Sequence, residues 1–360
     1  MGGHVARKVT LKQIAEAVGM SPTAVSLVLN DRPCRVSDAN KRRIRETARR
    51  LNYVPNQIAR SLVTRHSNTI GLIVPNIASP LFSSLAKSLE ARARKCGYAL
   101  FITNTDGDPE NDAEFVRLLV NHGVDGLLIV VSDEVAPSER LIEDLEGLPV
   151  PYVMVDRFIG SLACDKVRFH NEQGGYLATR ELIRQGHRRI GCIVNERSNT
   201  GADRLSGYRR ALVEAGIQPR QEYVVTIDYY IPDAYEASAR LLGTDVTAVF
   251  ASSDSIVLGL LRRLYGSGLS VPRDCSVVSY DNMLADTMFE LSLTSVEQNV
   301  DSLSAVALDL LLKRIREASQ DVKADPEEIL LAPKLVSHES VATPRVTEPG
   351  VSLRQVACEL

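Results

Sequence analysis

"VTLKQIAEAVGMSPTAVSLVLN", residues 9–30, decides how this chain is read, because it encodes two helices and the turn between them. Thr10 followed by Gln13 makes a capping box, which starts a helix by giving partners to two N–H groups that the helix itself leaves unbonded. Leu11, Ile14, Ala15 and Val18 then recur at helical spacing as one apolar stripe. Gly19 ends it, since glycine tolerates the left-handed turn after a helix. Ser21 is a good N-cap, Pro22 suits the first helical position, and Met20 staples onto Val25. With Val25, Val28 and Leu29 facing inward, the pattern predicts a helix-turn-helix. The second helix turns Pro22, Thr23, Ser26, Leu27 and Asn30 outward, where a solvated helix normally carries Glu and Lys. Acidic side chains there would repel phosphates, and long ones would hold the helix away from base edges. Short hydroxyl and apolar groups enter a major groove, donate to phosphate or pack on a thymine methyl.

A third helix follows, capped by Ser37, with Ile44, Ala48 and Leu51 as its inner stripe. Lys41, Arg42, Arg43, Arg45, Arg49 and Arg50 crowd its other sides with only Glu46 among them, a pattern that favours phosphate contact over a merely solvated face. In "YVPNQIARSL" (53–62) Asn56 caps a short helix through Ile58, Ala59 and Leu62, too short to be stable alone. The charge divides in the same place. Residues 1–66 hold 13 Lys/Arg against 4 Asp/Glu, a balance of +9, while residues 67–360 hold 29 against 41, a balance of −12. A basic head on an acidic body points to a polyanion partner for the head alone.

The 360 residues suit two or three domains, and 44% hydrophobic with 24% charged residues is ordinary for a globular protein. No apolar run reaches the roughly 18 residues that span a bilayer. The opening "MGGHVARKVTLKQ" lacks the apolar core of a secretion signal, so a cytoplasmic location without membrane contact is expected. Six cysteines are scattered without a CxxC pair or a nearby His cluster, which predicts reduced thiols and no metal or other cofactor.

After "TRHSN" the pattern becomes short apolar strands alternating with helices. "TIGLIV", "YALFIT", "VDGLLIV" and "PYVMVD" read as strands of one set, with helices near 81–96, 109–122 and 137–146. "KVRF", "RIGCIV", "YVVTI", "AVFAS" and "CSVVSY" read as a second set, and "IGLIV" (70–74) recurs as "IGCIV" (190–194). Such alternation predicts two doubly wound parallel sheets, hence two lobes. A helix over about 300–317 is expected to return to the first lobe, and "EILLAP" with "KLVS" to close the second. The expected divisions are 1–54 for the helix-turn-helix head, 55–66 for a hinge helix and linker, 67–345 for the body and 346–360 for a flexible tail. Within the body, the first lobe takes about 67–163 and 297–325, and the second about 164–296 and 326–345.

Parallel α/β sheets bind ligands beyond their strand C-termini, so a cleft between the lobes collects ligand groups from both. Asn76, Phe82, Asp156, Phe169, Arg204, Tyr229, Ser253 and Asp281 fall just past strand ends or on the helices that follow, and Gln298 is a further candidate. Asp accepts from hydroxyls, Arg donates in a fork and a ring packs on an apolar sugar face, so the set suits a polyhydroxyl ligand. For any one of them a helix cap or turn role competes with ligand contact, and Asp106 and Asp254 read as caps.

Residues 9–64 resemble the DNA-binding head of the lactose-repressor/galactose-repressor family of bacterial transcription regulators. The resemblance is carried by "VTLKQIAEAVGMSPTAVSLVLN", "VS" (36–37) and "LNYVPNQIARSL" (51–62) at the family's spacing. "HNEQGGYLATRELIRQGHRRIGCI" (170–193) and "VPRDCSVVSYDN" (271–282) extend it through residues 67–340, the family's effector-binding core. It implies an all-α helix-turn-helix head and a two-lobed body that shares its fold with periplasmic sugar-binding proteins. It implies DNA contacts from Thr10, Ser21, Pro22, Thr23, Ser26, Leu27, Asn30, Tyr53 and Asn56, and from a paired hinge helix with Ile58 and Ala59 whose Leu62 wedges into the minor groove. By position, Arg204 and Asp281 match the family's Arg and Asp that clamp the effector. Leu27 departs from the Arg or His common in relatives and cannot donate to guanine, so their operators do not transfer.

The implied protein is a regulator, acting as a repressor, with a pseudo-palindromic double-stranded operator and a small-molecule effector, a sugar in the leading reading. A homodimer follows from one recognition helix reading half an operator. An enzyme is not expected: GxxxxGK[ST], GxGxxG, HExxH and GxSxG are all absent and the six His fall singly, with His187 expected to bond carbonyls at a helix end. A stand-alone sugar- or nucleoside-binding protein is the alternative, opposed by the basic head. The last residues, "TPRVTEPGVSLRQVACEL", carry no heptads for a larger assembly.

Overall fold

The computed structural model describes residues 9–53, 66–133, 135–285, 291–345, 352, 353 and 355. The chain divides into two compact units, residues 1–67 and 68–360. In the head, α1 (Leu11–Val18) begins as its cap dictates: the Thr10 hydroxyl accepts from the Gln13 N–H, and Gln13 Oε1 accepts from the Thr10 N–H at 2.8 Å. It ends at Gly19 with φ 67°. α2 (Pro22–Leu29) begins at Ser21, whose Oγ accepts from the Ala24 N–H at 3.2 Å, and α3 (Asp38–Arg50) begins at Ser37. Ile14, Ala15, Val18, Val25, Val28, Ile44 and Ala48 form the core, with Met20, Leu29, Leu51 and Tyr53 packed at its margin. Asn56, Ile58, Ala59 and Leu62, with the expected hinge helix, lie outside the described residues.

The body opens with β1 (Thr69–Val74), α4 (Pro80–Lys95), β2 (Ala99–Asn104), α5 (Pro109–Asn121), β3 (Gly126–Ile129), α6 (Glu139–Glu146), β4 (Tyr152–Val155) and β5 (Asp165–Phe169). Then come α7 (Asn171–Arg184), β6 (Ile190–Val194), α8 (Asn199–Glu214), β7 (Val224–Thr226), α9 (Ile231–Leu242), β8 (Ala248–Ala251), α10 (Asp254–Gly266) and β9 (Ser276–Asp281). The remainder is β10 (Thr294–Glu297), α11 (Val300–Ser319), β11 (Glu328–Leu331) and β12 (Lys334–Val336). The first sheet has the order β11-β5-β4-β3-β1-β2 and the second β12-β10-β9-β8-β6-β7. All recorded pairings are parallel except β10 with β12. The central strands of each sheet are buried on both faces, as their near-continuous apolar sequences require. α11 packs on the first sheet, where Leu303, Ala307, Leu308 and Leu311 join the core beside Ile70 and Leu72.

Three assignments differ from the sequence reading. "KVRF" belongs to the first sheet, not the second: β5 runs parallel to β4, and Val167 and Phe169 are buried in the first-lobe core. Residues 156–164 link the two strands without a helix, shorter than the crossover of about a dozen residues or more that parallel neighbours normally need. "EILL" also belongs to the first sheet, as β11 beside β5, and only "KLV" closes the second. Pro333 separates the two strands, so one apolar run serves two sheets. β10, a polar "TSVE", carries too little alternation to be found by pattern. The tail is not wholly free: Leu353 is buried in the second-lobe core, and its N–H donates to the Thr244 carbonyl at 3.2 Å. Among the described residues no helix is long and apolar enough to cross a membrane.

Candidate effector site and nucleic-acid interface

Between the lobes lies a cavity of about 690 Å³, lined from the strand C-termini and the helices after them. Asn76, Phe82, Asp156, Arg204, Tyr229, Ser253 and Asp281 all reach it. Phe169 and Gln298 do not. Phe169 points into the first-lobe core, and Gln298 is fully buried with its Nε2 directed at Asn171 Oδ1 at 3.4 Å. Asp156, directly after β4, and Asp281, the last residue of β9, adopt left-handed backbones with φ 63° and 87°. Such conformations are unfavourable for non-glycine residues and recur at binding sites.

Arg204 is the cation between these acids, on α8 and only 4% exposed. Its Nε donates to Asn171 Oδ1 at 2.9 Å and its Nη1 to the Ser252 carbonyl at 2.6 Å. Its carbon lies 3.7 Å from the centroid of the Tyr280 ring. Asp281 Oδ1 stands 3.8 Å from Nη1, an ion pair but not a hydrogen bond. Burial opposes the Arg204 charge, yet Tyr280, Tyr229, Asp281 and Asp156 together hold its pKa above the ordinary value. Burial likewise pushes Asp156 and Asp281 above the usual carboxylate range, against the pull of Arg204. Asp156 Oδ1 and Asp281 Oδ1 are buried without a hydrogen-bond partner, so each offers an acceptor to whatever fills the cavity.

Two expected roles change hands. Ser253 caps α10, its Oγ accepting from the Ile256 N–H at 3.2 Å, while it also faces the cavity. Asp254, read as the cap, instead ties α10 to the end of β9: its carboxylate accepts from Ser279 Oγ at 2.8 Å and from the Met283 N–H at 2.6 Å. Asp106 caps nothing, since Asp108 starts α5. His187 does bond a carbonyl, that of Ala342 at 2.9 Å, far along the chain. Sequence reading missed Asn195, Arg197 and Asp228 on the second lobe and Ser132 and Asp133 on the first. Each follows a strand end, so the same positional rule, applied to every strand, would have found them. Asn171, the buried hub that accepts from Arg204 and Tyr280, stands two residues past the end of β5, where it also opens a helix.

In the head, Thr10, Ser21, Pro22 and Thr23 are exposed, while Ser26, Leu27 and Asn30 are half-buried. Asn30 Nδ2 donates to the Ser26 carbonyl at 2.8 Å and to its Oγ at 3.3 Å, so these two polar groups steady each other. Tyr53 packs at the core margin, where burial raises its phenol pKa. Lys41 pairs with Asp38 at 3.0 Å and Arg45 with Asp31 at 2.6 Å, whereas Arg42, Arg43, Arg49 and Arg50 stand exposed.

Residues 67–336 match the family described as "Periplasmic binding proteins and sugar binding domain of LacI family", and residues 10–56 match "Bacterial regulatory proteins, lacI family". The chain belongs to the LacI family. Among LacI-family relatives, it is 36% identical over 338 residues to the HTH-type transcriptional repressor PurR of Edwardsiella ictaluri (strain 93-146), covering 92% of this chain and 97% of the relative. The transcriptional regulator CelR in complex with cellobiose superposes with a TM-score of 0.69 at 30% identity, covering 93% of this chain and all of that one. The lac repressor dimer bound to operator and the anti-inducer ONPF gives a TM-score of 0.82 at 25% identity, with the same coverage. This LacI-family chain is therefore a DNA-binding transcriptional repressor, with an operator-binding head and a body that takes a small-molecule effector.

Proposed function

We infer that the effector is a neutral sugar held between the two lobes, and that its binding sets operator affinity. The observation that carries this is the pair of unpartnered buried acceptors on the cavity wall, Asp156 Oδ1 and Asp281 Oδ1, both under the influence of the Arg204 charge. Ligand hydroxyls satisfy them and accept from Arg204 in return. Arg157, Arg197 and Arg204 on the wall are balanced by Asp133, Asp156, Asp228 and Asp281, so the cavity offers no excess positive charge to a phosphate. Phe82 and Tyr229 add apolar surface to the wall. CelR forms a complex with the disaccharide cellobiose, and a cavity of about 690 Å³ accommodates ligands of that size.

In the head, the outer residues of α2 and its C-cap Asn30 read the major groove, and the exposed arginines of α3 contact phosphates. The protein acts in the cytoplasm. An effector shifts the lobes, and through them the head, only by binding one arrangement more tightly than the other. The deciding experiment is a thermal-shift screen of the full chain against neutral mono- and disaccharides and their phosphates. A matching neutral sugar at about a hundredfold excess over its Kd adds about 2.7 kcal/mol and raises the body's melting point by roughly 5–10 °C. Asp281→Ala removes that shift and spares basal operator binding. A shift from sugar phosphates alone, or one unaltered in Asp281→Ala, refutes the assignment.

A further inference from the structure

Arg157 follows the clamp carboxylate Asp156 and lines the cavity. Its Nη1 donates to the Ser132 carbonyl at 3.2 Å. Ser132 is itself fixed from behind by Asp112, a fully buried carboxylate that accepts from its N–H and its Oγ, both at 2.8 Å. One end of the guanidinium is thus anchored on the first lobe. Its central carbon lies 5.4 Å from the centroid of the Phe82 ring and 5.6 Å from that of Tyr229, one ring from each lobe and both within the roughly 6 Å reach of a cation–π contact. Tyr230, the third aromatic on the wall, is mostly exposed and stands outside this arrangement.

We propose that Arg157 determines specificity by occupying the stacking position between Phe82 and Tyr229, so that the cleft admits a polyhydroxyl ligand beside the guanidinium and rejects flat heteroaromatic rings. The inference rests on reading this cavity as the effector site. A flat ring gains most from a face-on partner, and here both candidate faces are already engaged by a planar cation held from the first lobe. A ring that displaced it would have to give up two cation–π contacts and leave the Ser132 carbonyl without its donor. A sugar needs neither: its hydroxyls reach Asp156, Asp281 and Arg204 while the guanidinium stays and donates to them.

The test uses the full chain with Arg157→Ala, Arg157→Met, Asp281→Ala and the Arg157→Ala/Asp281→Ala double substitution, titrated calorimetrically with adenine, uracil and p-nitrophenol as flat probes. Circular dichroism melting confirms that each variant folds. The wild type is expected to bind the probes weakly or not at all, and Arg157→Ala to bind at least one of them about tenfold more tightly or better. Arg157→Met keeps the packed stem without the charge and should gain in the same direction; the double variant should lose the gain. Wild-type affinity equal to that of Arg157→Ala overturns the proposal, as does the absence of a gain in both folded single variants. If Asp281→Ala still abolishes the sugar response in that last case, only the role of Arg157 falls. A gain that persists in the double variant places the probe outside the cavity and takes the proposal down as well.

Discussion

Asp112, Asp156, Asp254 and Asp281 share one electrostatic situation: each is buried, and burial raises its pKa, for Asp112 up to about 6. Asp254 is raised further by the neighbouring Asp281 charge. The folded chain therefore binds more protons than the unfolded one between about pH 4 and each raised value. The associated stability is fully present below the unfolded pKa of about 3.9 and is lost as pH rises through the folded pKa. For Asp112 the loss between pH 5.5 and pH 8 is about 1 kcal/mol, or roughly 2–4 °C in melting point. Melting curves of wild type and Asp112→Asn across that range should diverge by this amount, with the wild type losing more toward pH 8. Parallel curves would show that Asp112 keeps its ordinary pKa. The place of Asp156 and Asp281 on the cavity wall was legible in the sequence because one directly follows a strand and the other ends one, where a parallel sheet exposes its binding edge. Phe169 also ends a strand, but alternation turns it inward, and position alone does not reveal which face a strand end presents.

α7 and α8 show what the sequence states only obliquely. A Cβ on Gly175 would stand 2.0 Å from the Arg204 carbonyl oxygen, and one on Gly207 would stand 1.9 Å from that of Glu172. The two helices thus touch backbone to backbone, and that contact fixes the turn of α8 from which Arg204 reaches the cavity. Gly207→Ala should destabilise the body by about 1–3 kcal/mol through overpacking and weaken effector affinity in parallel. Unchanged melting together with unchanged affinity would show that the helices separate freely. In the head, caps were the legible feature, since Thr10, Gly19, Ser21 and Ser37 each mark an observed helix end. Ser21→Ala should cost the head about 1 kcal/mol, read by chemical denaturation of residues 1–67 followed through helical circular dichroism. Strand membership was less legible, because β5 and β11 are joined to their neighbours in sequence by links too short to announce which sheet they enter.

For the whole molecule, the +9 balance of residues 1–66 requires that operator binding weaken steeply with salt, log K falling by about 0.9 per phosphate contact per decade. A flat dependence, measured by filter binding or anisotropy, would remove the charge from the mechanism. Phe101 and Ile102 stand 46% and 44% exposed on β2, an edge strand of the first sheet. An apolar edge strand of this kind is a natural seat for a second copy of the chain. Phe101→Glu should shift the chain toward monomer in sedimentation and weaken operator binding by more than tenfold; a dimer that survives places the interface elsewhere. The order of the strands also bears on how the protein is made. The first lobe waits for α11 and β11, and the second for β12, so the first sheet is complete only once residue 331 has left the ribosome and the second only once residue 336 has. A message cut short anywhere upstream yields no half-working sensor, only a basic head on an unfinished body for proteases and chaperones to dispose of.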